Sequence, residues 1–345
     1  MLKKVLLAFV ALLITGSVFI AGAIIYFANE LNAPIKLQQQ QVVLISKGSN
    51  LSKIIYQLAA DEVVSYPKSL ILYARYHHLT NIKAGEFLLE PGISNVELLN
   101  LFVNGDVIHY RVTLIEGKTF KDYLQVLQAQ EKLQHKTQGL SPEQVMQQLK
   151  IDHYYEGWFA PETYTYQKGM SDLDILKLAY ERQQKLLAEA WQQRKEGIPI
   201  KTPYEALILA SMVEKETGAA KERPLISGVL SRRLIKGMRL QSDPTTIYGM
   251  GDRYNGNLRL KDLQEDNPYN TYKIKGLPPT PIANPGWDAI LAAVRPADTK
   301  ALYFVAKGDG THQFSDTLEE HNKAVRQYQI YKRRKDYQSA PDQSE

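Results

Sequence analysis

A carboxyl group able to hold a proton is the first candidate for chemistry in this sequence, and Glu216 meets that description. It lies near the end of the segment TPYEALILASMVEKETG. Thr202 and Glu205 match the S/T-x-x-E pattern of a capping box, with proline at the first helical position. Gly218 supplies a C-terminal stop. These signals predict a helix over residues 203–217.

Helical spacing separates Glu216 from its neighbour Glu214. Glu216 completes an i, i+3, i+4, i+7 stripe whose other members are apolar: Leu209, Met212 and Val213. Glu214 points about 200° away at ~100° per residue, so we expect only one of the two acids to face inward. Partial burial and the negative end of the helix would both raise the pKa of Glu216. It could then act as a general acid toward a leaving oxygen. The alternative is an ordinary glutamate paired with Arg223 or Lys221.

Polar residues downstream of this helix could complete a site. The segments MRLQSDPTTIYGMG and NPYNTYKIKGLPPTPIANPG contain more polar and turn-forming residues than a core needs. Six of their side chains could converge as hydrogen-bonding groups around a sugar: Gln241, Ser242, Asp243, Tyr269, Asn270 and Tyr272. Asp243 also fits a plain helix N-cap, which is the interpretation we favour, although it is the obvious second carboxylate.

The composition argues against several other chemistries. The 345 residues include no cysteine, which excludes disulfides, a thiolate nucleophile and zinc sites with sulfur ligands. The seven histidines show no H-E-x-x-H spacing, and we predict neither a metal nor a cofactor. A net charge of +5 is too weak to indicate nucleic-acid binding, but it suits a protein near anionic lipid or polymer.

The N-terminus predicts a membrane anchor that places the remaining residues outside the cytoplasm. Lys3 and Lys4 precede an uncharged run from Val5 to Phe27. As a helix this run is about 34 Å long, enough for a hydrocarbon core of roughly 30 Å. It also exceeds the ~7–15 residues of a secretory h-region, which favours a retained anchor. The positive-inside rule leaves residues 1–4 in the cytoplasm, as expected for a single-pass inner-membrane protein with periplasmic domains.

Three regions are predicted between the membrane and the Glu216 helix. Residues 28–40 are predicted to be a tether, and residues 41–115 a strand–helix–helix–strand unit followed by a further helix. That unit resembles a LysM-like module, a fold that binds N-acetyl sugars in its relatives, although a spacer without sugar affinity is the alternative. Residues 116–200 are predicted to be a helical connecting region.

The aromatic cluster EGWFAPETYTY, residues 156–166, lies in that connecting region. Its rings could stack on sugars, but we favour a core role.

A mainly helical catalytic domain is predicted over residues 201–335, with a disordered tail over 336–345. A hairpin around Gly308-Asp309-Gly310 places His312 on a strand, and His321 begins the C-terminal helix. Either histidine could simply hydrogen-bond within a core. The predicted fold class is α+β, with a transmembrane helix, the LysM-like subdomain, and the catalytic domain carrying a small β element.

Residues 41–330 resemble the YceG-like family of membrane-anchored endolytic murein transglycosylases. The resemblance rests on Glu156-Gly-Trp-Phe, ASMVEKET, MRLQSDPT, IYGMG, PYNTY, GLPP and YFVA, followed by His312 and His321-Asn322. It implies that the acid is the glutamate directly before threonine, which is Glu216. Similarity to the broader lytic transglycosylases implies that Gln241, Tyr269 and Asn270 contact substrate.

The resemblance also implies a reaction and its partners. The expected reaction cleaves the β-1,4 bond between N-acetylmuramic acid and N-acetylglucosamine in nascent glycan strands, leaves 1,6-anhydro ends, and helps to end strand elongation. Expected partners are peptidoglycan strands, the inner membrane and peptidoglycan synthases. One alternative is a muramidase-type hydrolase that uses Glu216 and Asp243. Another is a non-catalytic scaffold that binds the cell wall through residues 42–115.

Overall fold

The computed structural model describes residues 2–331, which form two compact units. The first unit comprises the chain up to Tyr110 together with Thr165–Gly169. The second comprises Arg111–Tyr164 and the chain from Met170 onward. The fold is mixed α and β, with thirteen α-helices and three two-stranded sheets in the described part of the chain. The predicted tail, residues 336–345, lies outside the described residues.

Helix α1 (Leu2–Asn32) is long and apolar enough to cross a membrane. Its side chains from Lys3 to Tyr26 are exposed, as expected of a helix whose apolar surface meets lipid rather than protein. This helix is compatible with a single-pass membrane anchor or with a signal sequence.

The end of α1 is part of the first unit. Leu31 and Ile35 are buried in its core, and the amide of Asn95 donates to the carbonyl of Glu30 at 3.0 Å. Part of the segment predicted as a tether, residues 28–40, is therefore packed structure. The physical reason is that apolar side chains continue past the membrane run and reach the core.

The first unit has the predicted order of elements. These are β1 (Gln41–Ile45), α2 (Leu51–Ala60), α3 (Pro67–Tyr76), β2 (Gly85–Leu89) and α4 (Asn95–Asn104). Strand β1 pairs antiparallel with β2, with Gln41 opposite Leu89. The fully buried rings of Phe87 and Phe102 meet edge to face at 5.3 Å in the core. This order confirms the strand–helix–helix–strand prediction.

A second sheet pairs β3 (Tyr110–Leu114) with β4 (Glu162–Tyr166). The hydroxyls of Thr113 and Thr163 lie 2.9 Å apart across it. All four rings of the neighbouring aromatic cluster are buried: Trp158, Phe159, Tyr164 and Tyr166. Their burial confirms that this cluster fills a core.

The second unit is mainly helical and is built around α8. Its elements are α5 (Phe120–Gln128), α6 (Pro142–Leu149), α7 (Asp172–Gln192), α8 (Pro203–Glu216), α9 (Arg223–Ile235), α10 (Asp243–Met250), α11 (Leu260–Gln264), α12 (Trp287–Val294), β5 (Tyr303–Ala306), β6 (His312–Ser315) and α13 (Leu318–Val325). Helices α7, α9, α10 and α12 all pack against α8. The helices predicted as a connecting region over 116–200 thus share one compact unit with the predicted catalytic domain.

The last sheet is a hairpin beside the C-terminal helix. Strand β5 pairs antiparallel with β6, with Tyr303 opposite Ser315 and Ala306 opposite His312. Helix α13 packs against both strands and continues into a π-helical turn, Arg326–Tyr331. The predicted hairpin is confirmed. The predicted C-terminal helix is present but begins at Leu318, capped by Thr317, and not at His321.

Candidate active site

Helix α8 brings Glu216 to its C-terminal end, close to where the sequence predicts. The Thr202 hydroxyl accepts from the backbone N–H of Glu205 at 3.1 Å, and Pro203 occupies the first turn. The Glu205 carboxylate caps the N–H of Lys201 instead of that of Thr202, so only half of the predicted capping box forms. The helix ends at Glu216, with Thr217 extended at the C-cap, one residue before the predicted end.

Glu216 lines an open cleft of about 1030 Å³ in the second unit. One group of lining residues belongs to the segment between β3 and α5, to the ends of α8, α9 and α10, and to the segments next to those helix ends, and much of it is charged. Its charged members are Glu116, Lys118, Glu214, Lys215, Glu216, Arg233 and Asp243. Another group comes from β5, β6, α13 and the turn after it. The two groups therefore give the cleft a chemically uneven lining.

The Glu216 carboxyl is partly buried and has a single hydrogen-bond partner among the described residues. The Ser242 hydroxyl donates to its Oε1. Burial raises the pKa of Glu216 to about 7, with the Ser242 hydrogen bond opposing the rise, Asp243 adding to it and Arg233 opposing it. A pKa raised this far lets the carboxyl keep a proton much closer to neutral pH than an ordinary glutamate does, which a general acid requires.

The expectation that only one of the two neighbouring acids faces inward is wrong. Glu214 is only 9% exposed. Its Oε1 accepts from Arg223 at 2.8 Å and its Oε2 from the Gly286 N–H at 2.9 Å. Helix α8 is packed on several sides, so two different faces meet protein. The ion pair with Arg223, suggested as the alternative for Glu216, belongs to Glu214.

Burial raises the pKa of Glu214, whereas the Gly286 N–H and the Arg223 guanidinium lower it. Arg223 also donates to Glu116 at 3.0 Å. Glu214 is thus held as part of an ion-pair network that fixes the end of α8.

Four of the six predicted substrate-binding residues either line the cleft or contact Glu216. Gln241 and Asp243 line the cleft, and Ser242, 2% exposed, reaches Glu216. Tyr272 also lines it and donates to Asp243 Oδ1 at 2.6 Å. The favoured N-cap interpretation of Asp243 is wrong: Ser242 occupies the N-cap and Asp243 is the first helical residue.

Gln241 has a left-handed backbone, with φ of 50°. This conformation costs a non-glycine residue roughly 1–2 kcal/mol. Its N–H donates to the carbonyl of Thr271 at 3.1 Å, and the next N–H, of Ser242, donates to the Thr271 hydroxyl at 2.9 Å. These two hydrogen bonds to Thr271 therefore hold the backbone in place at the point where Ser242 contacts Glu216.

The other two predicted residues, Tyr269 and Asn270, are not among the residues that line the cleft. Asn270 is fully buried, donates to the carbonyl of Glu265 at 2.7 Å and accepts from the N–H of Tyr272 at 3.1 Å. The hydroxyl of Tyr269 lies 2.9 Å from that of Thr280. In this geometry both residues shape the loop that presents Tyr272, and their contact with substrate stays a prediction.

Arg233 is a cleft residue that the sequence reasoning missed. It is 6% exposed, donates to the carbonyls of Leu240 at 2.8 Å and Leu302 at 2.6 Å, and places its guanidinium 5.2 Å from the Tyr303 ring centre. The signal was present, because it completes an i, i+3, i+4, i+7 stripe with Ile226, Val229 and Leu230. The same rule that selected Glu216 would have selected it.

Glu156 is a second buried carboxyl, which the sequence marked only as part of a motif and not as a site residue. It is 1% exposed and accepts from the Phe120 N–H at 2.8 Å and from the Tyr248 hydroxyl at 3.2 Å. Burial raises its pKa to about 7, against the hydrogen bonds from Phe120 and Tyr248. It does not line the cleft, and its contacts tie the start of α5 to α10.

Both C-terminal histidines line the cleft. His312 Nδ1 lies 2.8 Å from Glu222 Oε2, whereas His321 stacks on Tyr303 with ring centres 5.1 Å apart. Within residues 2–331, no group of three or more histidine, aspartate and glutamate side chains could hold a metal ion.

Comparisons with known proteins agree on one family. The model of the YceG-like family matches residues 43–327. An endolytic murein transglycosylase of Bacillus subtilis is 30% identical over 329 residues, which cover 90% of this chain and 91% of that protein. An endolytic murein transglycosylase of Streptococcus pneumoniae is 27% identical over 359 residues, which cover 93% of this chain and 64% of that longer protein.

Among solved structures, a YceG-like protein from Listeria monocytogenes is 28% identical to this chain. The match covers 84% of this chain and all of the other, with a TM-score of 0.49.

Proposed function

This chain belongs to the YceG-like family, and from that premise we propose that Glu216 cleaves the β-1,4 bond between N-acetylmuramic acid and N-acetylglucosamine. The chain is a peptidoglycan lytic transglycosylase, a lyase by reaction type. The observation that carries the residue assignment is a partly buried carboxyl, with a pKa raised by burial to about 7, in an open cleft.

Glu216 has two tasks in the proposed reaction. It first donates its proton to the glycosidic oxygen, and the bond from that oxygen to C1 of the muramyl residue breaks. The resulting carboxylate then accepts the proton of the muramyl C6 hydroxyl, while O6 bonds to C1 and closes the 1,6-anhydro ring. No water is consumed, and Glu216 ends the cycle protonated. A pKa near the working pH serves a group that must both give and take a proton.

The neighbours of Glu216 have supporting roles in this scheme. The Ser242 hydroxyl holds the carboxyl in place and stabilises its anion between the two proton transfers. Asp243 is engaged by the Tyr272 hydroxyl at 2.6 Å and raises the pKa of Glu216, as a like charge does. A hydrolase would instead need a second acid as nucleophile or as base for water. We assign Asp243 the electrostatic role.

The location and the partners belong to the same proposal. Helix α1 would anchor the chain in the inner membrane, with Lys3 and Lys4 in the cytoplasm and both units in the periplasm. There the enzyme would cut nascent strands internally beside peptidoglycan synthases and end their elongation. The LysM-like order of the first unit would give it a role in holding glycan.

The test is the mass of the products from purified glycan strands. A lytic reaction gives 1,6-anhydro ends, whereas a hydrolase gives reducing ends one water heavier. We expect anhydro products from the wild type and from Asp243→Asn. Reducing ends that disappear in Asp243→Asn would establish the hydrolase instead, and strands of unchanged length would establish the scaffold.

A further inference from the structure

The cleft contains a surface that the proposed reaction does not use. We call it the C-terminal lining: the cleft-lining residues between positions 303 and 329. It includes two aromatic rings, two imidazoles and two amides, from Tyr303, Phe304, His312, His321, Asn322 and Gln329. No aspartate, glutamate, lysine or arginine belongs to it, in contrast to the rest of the described cleft. A neutral ligand group can leave water for this lining without the cost of burying an unpaired charge.

His321 presents a defined hydrogen-bonding group to this surface. Its Nδ1 is buried and has no hydrogen-bond partner among the described residues. Burial lowers the pKa of His321, and the nearby Arg233 lowers it further, so the ring is neutral at pH 7. A neutral ring carries one N–H, and burying that N–H without an acceptor is the costlier arrangement. The proton therefore resides on Nε2, the nitrogen left to meet the cleft.

The orientation of His321 is fixed before any ligand arrives. Its ring stacks on Tyr303 with an interplanar angle of 22° and ring centres 5.1 Å apart. Arg233 also lies against Tyr303, 5.2 Å from the ring centre. A donor held in one direction loses little conformational freedom when it binds.

Building on the proposed function, we propose that the C-terminal lining is a subsite for an uncharged N-acetylated hexosamine ring, with His321 Nε2–H donating to its acetamido carbonyl oxygen. An acetamido carbonyl is a strong acceptor without charge, which matches a neutral donor. The Phe304 ring also lines this surface, and aromatic rings suit the apolar side of a sugar ring. The amides of Asn322 and Gln329 can serve the hydroxyls. A carboxylate of a stem peptide would find no lysine or arginine in this lining.

The experiment compares the full-length chain on two substrates: intact glycan strands and the same strands after N-deacetylation. We expect His321→Ala to lower kcat/KM on the acetylated strands about tenfold, mainly through KM, because one directed hydrogen bond is lost. On deacetylated strands the change should be small. The acetylated-to-deacetylated preference should therefore fall about tenfold. A merely structural role would lower both rates together and leave this ratio unchanged.

Two further variants separate the hydrogen bond from the packing. His321→Gln places an amide N–H near the position of Nε2 and should restore much of the preference. His321→Phe keeps an aromatic ring against Tyr303 but has no donor, so it should lose the preference even where His321→Ala does not fold. His153→Ala, at an exposed histidine that does not line the cleft, is the matched control and should leave the ratio unchanged.

The outcomes distinguish this inference from the assignment of Glu216. A preference that stays at the wild-type value in His321→Ala and His321→Phe overturns the subsite. So does an equal loss on both substrates. The Glu216 assignment stands or falls separately, on whether Glu216→Gln still cleaves either strand. Binding of acetylated oligosaccharide to Glu216→Gln, with and without His321→Ala, tests the same contact without turnover, and equal affinities also overturn it.

Discussion

Both units contain carboxyl groups that are buried or partly buried, but the hydrogen-bond and ion-pair partners of these groups differ between the units. In the first unit Glu86 is 3% exposed and accepts from the Tyr110 hydroxyl at 2.6 Å and from Lys168 at 2.9 Å. In the second unit Glu216 accepts from one hydroxyl, that of Ser242, among the described residues. A carboxylate that meets both a cation and a hydroxyl contributes to stability through those contacts. A weakly partnered one can change its protonation state near pH 7, and that is a functional property.

The same contrast recurs within α8 itself. Glu214 meets a guanidinium and a backbone N–H, whereas Glu216, two residues later, meets a neutral hydroxyl and has Asp243 as a neighbour. Two acids of one helix thus have separate roles, set by their partners. Changing each acid or its partner separately tests whether that division holds.

The largest expected effect is on activity, from Glu216→Gln. Removing the proton donor should lower the cleavage rate about 10²–10⁴-fold, the usual contribution of a general acid. The fold should persist, because the amide can still accept from Ser242. Strand cleavage and thermal unfolding are measured side by side, with Glu189→Gln on the exposed face of α7 as control. Full activity in the Gln variant would show that Glu216 is not the proton donor and does not differ in function from the paired carboxylates.

The next effect is on stability, from Arg223→Met. This change leaves Glu214 buried without its cation and should cost about 3–5 kcal/mol in the free energy of unfolding. Urea unfolding measures it. Arg253→Met is the control, since Arg253 pairs with Glu265 at 2.7 Å on the surface and should cost under about 1 kcal/mol. The double variant with Glu214→Gln should recover part of the loss. A small loss in Arg223→Met would show that Glu214 is not structural.

A smaller effect should appear in how stability depends on pH. The pKa of Glu216 in the fold, raised by burial to about 7, lies above its ordinary value of 4.5. The folded state therefore binds this proton more tightly, so the stabilisation is complete below about pH 4.5 and is lost as pH rises through about 7. Because the side chain is only partly buried, we expect about 1–2 kcal/mol. Unfolding of the wild type and of Glu216→Gln, followed from pH 5 to 8, should diverge with rising pH, with the Gln variant the more stable. Parallel curves would mean that Glu216 titrates like a paired or exposed acid.

The sequence predicted local elements well because local signals specify them. Caps, proline positions and apolar spacing placed α8, the order of the first unit and the β5–β6 hairpin. Helical periodicity also singled out Glu216. It failed for Glu214, because one stripe on a helix cannot reveal that α7, α9, α10 and α12 surround α8.

Long-range pairing was the part that the sequence could not provide. Glu116 and Arg223 are far apart in the chain, yet they meet beside Glu214. Likewise, the sequence did not indicate that the side chain of Asn270 donates to the carbonyl of Glu265 and accepts from the N–H of Tyr272 and the hydroxyl of Thr246. Such partners depend on how distant segments pack, which periodicity within a single element does not encode.

The smallest expected effect comes from Glu86→Gln in the first unit, and it completes the contrast between the units. The amide can still accept from the Tyr110 hydroxyl, and Lys168 can turn to water because its side chain is 36% exposed. We therefore expect a loss of only about 1 kcal/mol in the free energy of unfolding. The cleavage rate should stay at the wild-type value, because this carboxylate stabilises its own unit and moves no proton. Urea unfolding and strand cleavage on the same preparation measure both. Unchanged stability with much reduced cleavage in this variant would contradict the structural role of Glu86, because it would show that a fully partnered carboxylate takes part in the reaction.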